Sequence, residues 1–210
     1  MNSIQRIVGA VGLVGLLAGA GCKKTSDNTL NYRSAIDTYY SSRPSCLWSD
    51  EVKFPVQADT SDVSKTTGYD ALVDQGLLQR TTAEKKRFIL GSKQVTNYDL
   101  TDKGRSAWTA DQSQPGFGNF CYGTRKVSSI DSATPSNSQP GATTTVNYHY
   151  TLSGTPGWAT AAETQTAFPQ VKNDVTGPLT AVASLTNTTN GWAVSGAPKP
   201  ASGADGTIVQ

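Results

Sequence analysis

The stretch TTTVNYHYTL, residues 143–152, sets Val146, Tyr148, Tyr150 and Leu152 on one side of the chain and Thr145, Asn147, His149 and Thr151 on the other. Successive side chains of an extended backbone point to opposite faces, so this alternation predicts a strand with one buried face. Residues 120–131 predict a second strand, and TPSNSQPG (134–141) supplies the turn chemistry between the two. An antiparallel hairpin is therefore expected. Downstream, residues 158–168 predict a helix closed by Pro169, with Trp158, Ala161, Ala162 and Phe168 as its apolar contacts. Residues 179–186 predict another strand, and Gly191-Trp192-Ala193-Val194 an extension of the pairing. From Ser195 the chain turns to Gly, Pro, Ala and Ser with almost no apolar anchors, so 195–210 reads as a disordered tail.

Working toward the N-terminus, PGFGNFCYG (115–123) reads as a tight connector. Ahead of it, the sequence is expected to be helix-rich. Tyr32, Ala35, Ile36, Tyr39 and Tyr40 recur at helical spacing and define a core face, with Asp27 or Asn28 as N-cap and Pro44 ending the helix after residues 41–44. Cys46-Leu47-Trp48 and residues 52–56 read as short extended pieces around Pro55. Tyr69, Leu72 and Val73 share a second helical face, stopped by Gly76 as a left-handed C-cap with Leu77 behind it. Strands are expected at 87–90 and 95–100, with Gly91-Ser92-Lys93 at the bend, and Thr101 is expected to cap a short helix running toward Trp108. The segments ALVDQGLLQR (71–80) and NYDLTDKGRSAW (97–108) resemble the recognition helix and wing of winged-helix proteins, including MarR- and PadR-like regulators. The likeness covers residues 67–108.

The expected fold class is thus α+β: a helical, winged-helix-like N-terminal half (29–114) packed with a small antiparallel β half carrying one helix (115–194).

Before these halves lies an N-terminal region of another kind. Arg6, an apolar run over 7–17 and Gly19-Ala20-Gly21 have the three parts of a secretory signal over residues 1–21. The run is too short to span a bilayer, which takes ~20 apolar residues. LAGAGC (17–22) resembles the lipobox of bacterial lipoprotein precursors, although Gly19 stands where that family usually has leucine. The resemblance implies a diacylglycerol (and further acyl, such as palmitate) on Cys22 at the mature N-terminus, a polar tether over 22–28, and a site in the cell envelope. Lys23, rather than Asp, after the cysteine leans toward the periplasmic face of an outer membrane.

Lipidating Cys22 leaves Cys46 and Cys121, an even pair in an oxidising compartment, so a disulfide between them is expected. The chain-entropy picture assigns such a long loop about 4–5 kcal/mol.

The chemistry of the body is sparse. Eighteen basic against 16 acidic side chains give no drive toward a polyanion, so no nucleic-acid partner is expected. His149 is the single histidine, set on the polar face of its strand, and no GxSxG segment accompanies it. There is no CxxC, HExxH or EF-hand loop. Asp59, Asp62, Asp99 and Asp102 read as loop and capping acids rather than calcium ligands. No catalytic residue, metal or cofactor is expected. Lys85-Lys86-Arg87 is the one basic run and the candidate partner-binding patch. The expected role is a non-enzymatic, lipid-anchored binding or accessory module with an envelope partner. A periplasmic hydrolase is the alternative, and a DNA-binding regulator, which export removes from DNA, comes last.

Overall fold

The computed structural model of the chain describes residues 24–87, 91–135 and 139–201. The expected signal, Cys22 and residues 202–210 lie outside them. Helix α1 (Lys24–Ser41) leads into short strands β1 (Ser45–Cys46), β2 (Val52–Lys53) and β3 (Val56–Asp59). Helix α2 (Val63–Asp74) precedes the hairpin β4 (Leu78–Arg87) and β5 (Gly91–Leu100), then α3 (Asp102–Ala107) and β6 (Trp108–Ala110). Two long strands follow, β7 (Phe117–Thr134) and β8 (Thr143–Ser153). Three short helices, α4 (Gly157–Thr160), α5 (Ala162–Ala167) and α6 (Pro169–Thr176), lead to β9 (Leu179–Thr188), β10 (Gly191–Val194) and β11 (Lys199–Pro200).

Strand outweighs helix, 43% to 31%, which corrects the expected helical N-terminal half. The main sheet is curled and antiparallel, in the order β1-β7-β8-β9-β10, with β2 and β6 also on β7 and β11 on β9. A separate sheet runs β3-β5-β4. The winged-helix expectation fails for a definite reason. Of the two helices ahead of the hairpin, only α2 packs with β4 and β3, while α1 packs instead on β7 and β10 of the main sheet. Residues 45–53, where a further helix would be needed, are spent on strand pairing to β7.

The local signals fared better than the architecture. Leu77 N–H reaches Leu72 O at 2.9 Å and Gly76 N–H reaches Val73 O at 2.8 Å, the paired bonds of a Schellman stop, with Gly76 at φ 69°. Thr101 Oγ1 accepts from Gly104 N–H at 2.9 Å and caps α3. Gly104 is required by contact: a Cβ there would sit 1.9 Å from Leu77 O.

Four expectations need correction. The hairpin is longer than 87–100 suggests, since β4 starts at Leu78 and Gly91-Ser92-Lys93 pair with Arg87, Lys86 and Lys85 rather than forming the bend. PGFGNFCYG is no connector. Its Gly118 opens β7 where a Cβ would lie 2.4 Å from Thr109 O, so glycine lets β6 and β7 approach. Pro169 does not close a helix but begins α6, where its missing N–H goes unneeded. The tether and tail are shorter than expected: α1 starts at Lys24, and β11 pairs with Ala181 and Val182.

Two cores result. One gathers Leu47, Leu72, Leu77, Leu78, Tyr98, Phe120, Tyr122, Trp158, Phe168 and Val171 between α2, the hairpin and the start of β7. Cys46 and Cys121, register partners on β1 and β7, are joined here by a disulfide that spans 75 residues of sequence. The other core lies under α1. Tyr32, Ala35, Ile36 and Tyr40 are buried against Val127 of β7, Ala181, Ala183 and Leu185 of β9, and Val146, Tyr148 and Tyr150, which are on the inward face of β8 that the alternation predicts. At the seam, Tyr122 donates to Asp174 Oδ2 (2.8 Å), and the Arg125 guanidinium lies over Tyr150 at 5.1 Å and Tyr40 at 5.5 Å.

Candidate binding groove

Helix α1 is held to the sheet by more than its apolar face. β7 is irregular between Val127 and Ser129, which disturbs its ladder with β8. Asp37 Oδ1 accepts from Val127 N–H at 2.9 Å, and Arg33 Nε donates to Val127 O at 3.0 Å. One helical turn separates Arg33 from Asp37, so a single face supplies the acceptor and the donor that this backbone lacks. The clasp fixes α1 along the sheet and beside β10.

Between α1 and the β9–β10 turn an open groove of about 850 Å³ remains. The helix wall carries Asn28, Asn31, Ser34, Thr38 and Ser42; the other wall is formed by Asn190, Gly191 and Trp192. Asn31, Ser34, Thr38, Ser42 and Asn190 are exposed. Trp192 is half-buried, its ring set edge-on against Tyr32 at 4.9 Å and 75°. At the C-terminal end of α1 the Arg43 guanidinium lies 4.2 Å over the Tyr39 ring and donates to Tyr39 O at 2.9 Å. The wall carries amides and hydroxyls, one cation and no carboxylate.

The residues singled out from sequence fall elsewhere. His149 is on the outer face of β8, and a Ser–His–Asp grouping does form there. Ser129 Oγ lies 3.4 Å from His149 Nδ1, and Asp131 Oδ1 lies 2.9 Å from the same nitrogen. A nucleophile relay needs the hydroxyl and the carboxylate on opposite ring nitrogens. Both partners crowd Nδ1, so the group orients an imidazole and activates no serine.

Asp62 caps α2, accepting from Lys65 N–H at 3.3 Å, and its carboxyl is held below the ordinary value by its hydrogen bonds from Ser64 and Lys65. Asp70 accepts from Arg80 at 2.7 Å and from the Tyr98 hydroxyl at 3.0 Å. Among the described residues no cluster of His, Cys, Asp or Glu could hold a metal ion. Lys85, Lys86 and Arg87 occupy the far end of β4, and the register sets Lys93 opposite Lys85. That basic end belongs to the three-stranded sheet, whereas the groove belongs to the main one.

The groove escaped the sequence because its walls come from opposite ends of the chain. Asn31, Ser34, Thr38 and Ser42 read individually as the solvated side of an amphipathic helix. Only the packing of α1 beside β10 turns that side into a wall. No described helix is long and apolar enough to cross a membrane. No protein-family model matches the chain, and neither the curated proteins nor the solved structures contain a match to it.

Proposed function

We propose that the chain is a lipid-anchored bacterial envelope protein that acts as a non-enzymatic binding module, with the α1–β10 groove as its ligand site. The groove itself carries this reading, because it joins a sizeable concave surface to polar groups with no proton-transfer partner among them. The lipobox-like LAGAGC supports the anchor, and the Cys46–Cys121 disulfide fits an oxidising compartment. Helix α1 starts at Lys24, almost directly after Cys22, so the anchor and one wall of the groove share a single segment. The periplasmic face of an outer membrane is the proposed location, and the basic end of β4 is a second surface suited to an acidic envelope partner.

The test has two arms. Fatty-acid labelling of whole cells should mark the wild-type chain and not Cys22→Ser. A variant that still labels and still sediments with membranes contradicts the anchor. For the groove, a photo-crosslinking residue placed at Thr38 or Asn190 should form a specific adduct in living cells, while one at Thr145 on the outer face of β8 should not. Equal yields at all three positions contradict the site.

A further inference from the structure

The groove's lining narrows the class of ligand. We propose that it takes a glycan segment: a short run of uncharged sugar units bearing hydroxyl and acetamido groups, with one ring against Trp192. The inference rests on the reading of the groove as the binding site and goes further by naming what is bound.

Charge excludes the extremes. No carboxylate lines the groove to attract a cationic ligand, and Arg43, its one cation, is already engaged by the Tyr39 ring and carbonyl and by Ser42 Oγ at 3.2 Å. A polyanion would find too little opposing charge. Hydrogen-bond chemistry is the second constraint. Asn31, Ser34, Thr38, Ser42 and Asn190 each offer a donor and an acceptor. Their natural complement is a ligand whose groups also both donate and accept, as sugar hydroxyls and acetamides do. An acyl chain or other apolar ligand would cover these groups without pairing them, leaving each one desolvated and unsatisfied.

Shape and the aromatic wall complete the argument. Asn28 to Ser42 extends roughly 20 Å along α1 at the rise of an α-helix, which suits several rings in a row better than one compact molecule. Half-buried Trp192, set edge-on against Tyr32, brings an aromatic ring to the groove wall, and C–H edges of a pyranose are suited to such a ring. An extended peptide adding to the open edge of β10 is the competing occupant. That edge is four residues long, too short to carry much of a ladder.

The test uses the full-length lipidated protein in detergent. Chitotriose, an uncharged soluble peptide of extended conformation, and phosphatidylglycerol vesicles are offered in turn. Binding is read by saturation-transfer NMR of the probe and by tryptophan fluorescence. Chitotriose should receive saturation and shift the fluorescence, and Thr38→Lys and Asn31→Ala, both at exposed positions, should each weaken it by about tenfold. Trp192→Ala should abolish it; because that change also removes a contact to Tyr32, the two exposed variants carry the decision. Absence of saturation transfer to chitotriose, or equal binding by wild type and variants, overturns the glycan assignment. If the peptide or the vesicles bind instead and Thr38→Lys blocks them, the ligand class is wrong and the groove reading stands. If every probe is silent and Thr38 also gives no adduct in cells, both readings fall.

Discussion

The two cores show how one chain divides rigidity from access. The first is closed around aromatic rings. Trp48 contacts Phe54, Tyr69, Phe120 and Phe168 at centroid distances of 5.9–6.4 Å, and the disulfide ties β1 to β7 at its edge. Buried Asn119 pairs both its amide ends with the Trp48 backbone, accepting from Trp48 N–H at 3.2 Å and donating to Trp48 O at 2.8 Å. The second core has a lid, α1, held by one apolar face and the Arg33–Asp37 clasp, and the lid's outer shoulder is left open as the groove. Aromatic packing with a covalent staple therefore stabilises the region that holds the fold. The region that carries the proposed binding groove is built from a helix on a sheet.

Mutation tests that contrast between the two cores. The largest effect should follow removal of the staple. Replacing Cys46 and Cys121 together by alanine should lower stability by about 2–5 kcal/mol, and the loss should appear as one cooperative shift in the denaturant midpoint. A change under ~1 kcal/mol would show that the aromatic packing suffices without it. Ile36→Ala comes next. Ile36 is fully buried under α1, so a loss of roughly 2–5 kcal/mol is expected, with exchange of the α1 amides accelerating before those of β4 and β5. Uniform acceleration would mean that the two cores are a single unit.

Asp37→Ala strips the Val127 N–H of its acceptor and should cost about 1–3 kcal/mol, again with α1 loosening first in exchange. Alkaline pH probes both cores, since burial raises Tyr98 and Tyr122 in the first and Tyr148 and Tyr150 in the second. Burial, together with the neighbouring Asp70 carboxylate, pushes the Tyr98 hydroxyl up to about 12 from an ordinary 10. A raised acid favours its neutral form in the fold. That contribution is intact below pH 10 and is lost as pH rises toward 12, so the denaturant midpoint should fall through that window. A flat profile contradicts this. The smallest change in stability, within about 0.5 kcal/mol, belongs to Thr38→Lys, whose side chain is exposed.

What the sequence reveals follows the length of each signal. The alternation over 143–152 is long enough to identify β8 and its buried face, and Gly76 and Thr101 announce their caps because capping chemistry is local. The cysteine count points to the disulfide. Strands of two or three residues such as β1, β2 and β6 have no period to read, and their pairing is decided by β7 far along the chain. The short helices α4 and α5 run together in sequence as one apolar pattern, and Pro169, which reads as a stop, starts α6. For the groove, no residue on either wall carries an unusual local pattern, since amide and hydroxyl side chains on a helix face mean solvent unless a second element stands opposite.

If the α1–β10 groove is the ligand site, occupancy should protect both of its walls. Hydrogen exchange of the lipidated chain in native envelope vesicles, compared with the same chain purified in detergent, tests it directly. Slower exchange in the envelope is expected over residues 28–43 and 187–194, with β8 unchanged. Equal exchange at both groove walls in the two preparations, or protection confined to β8 and the β4–β5 hairpin, would contradict it.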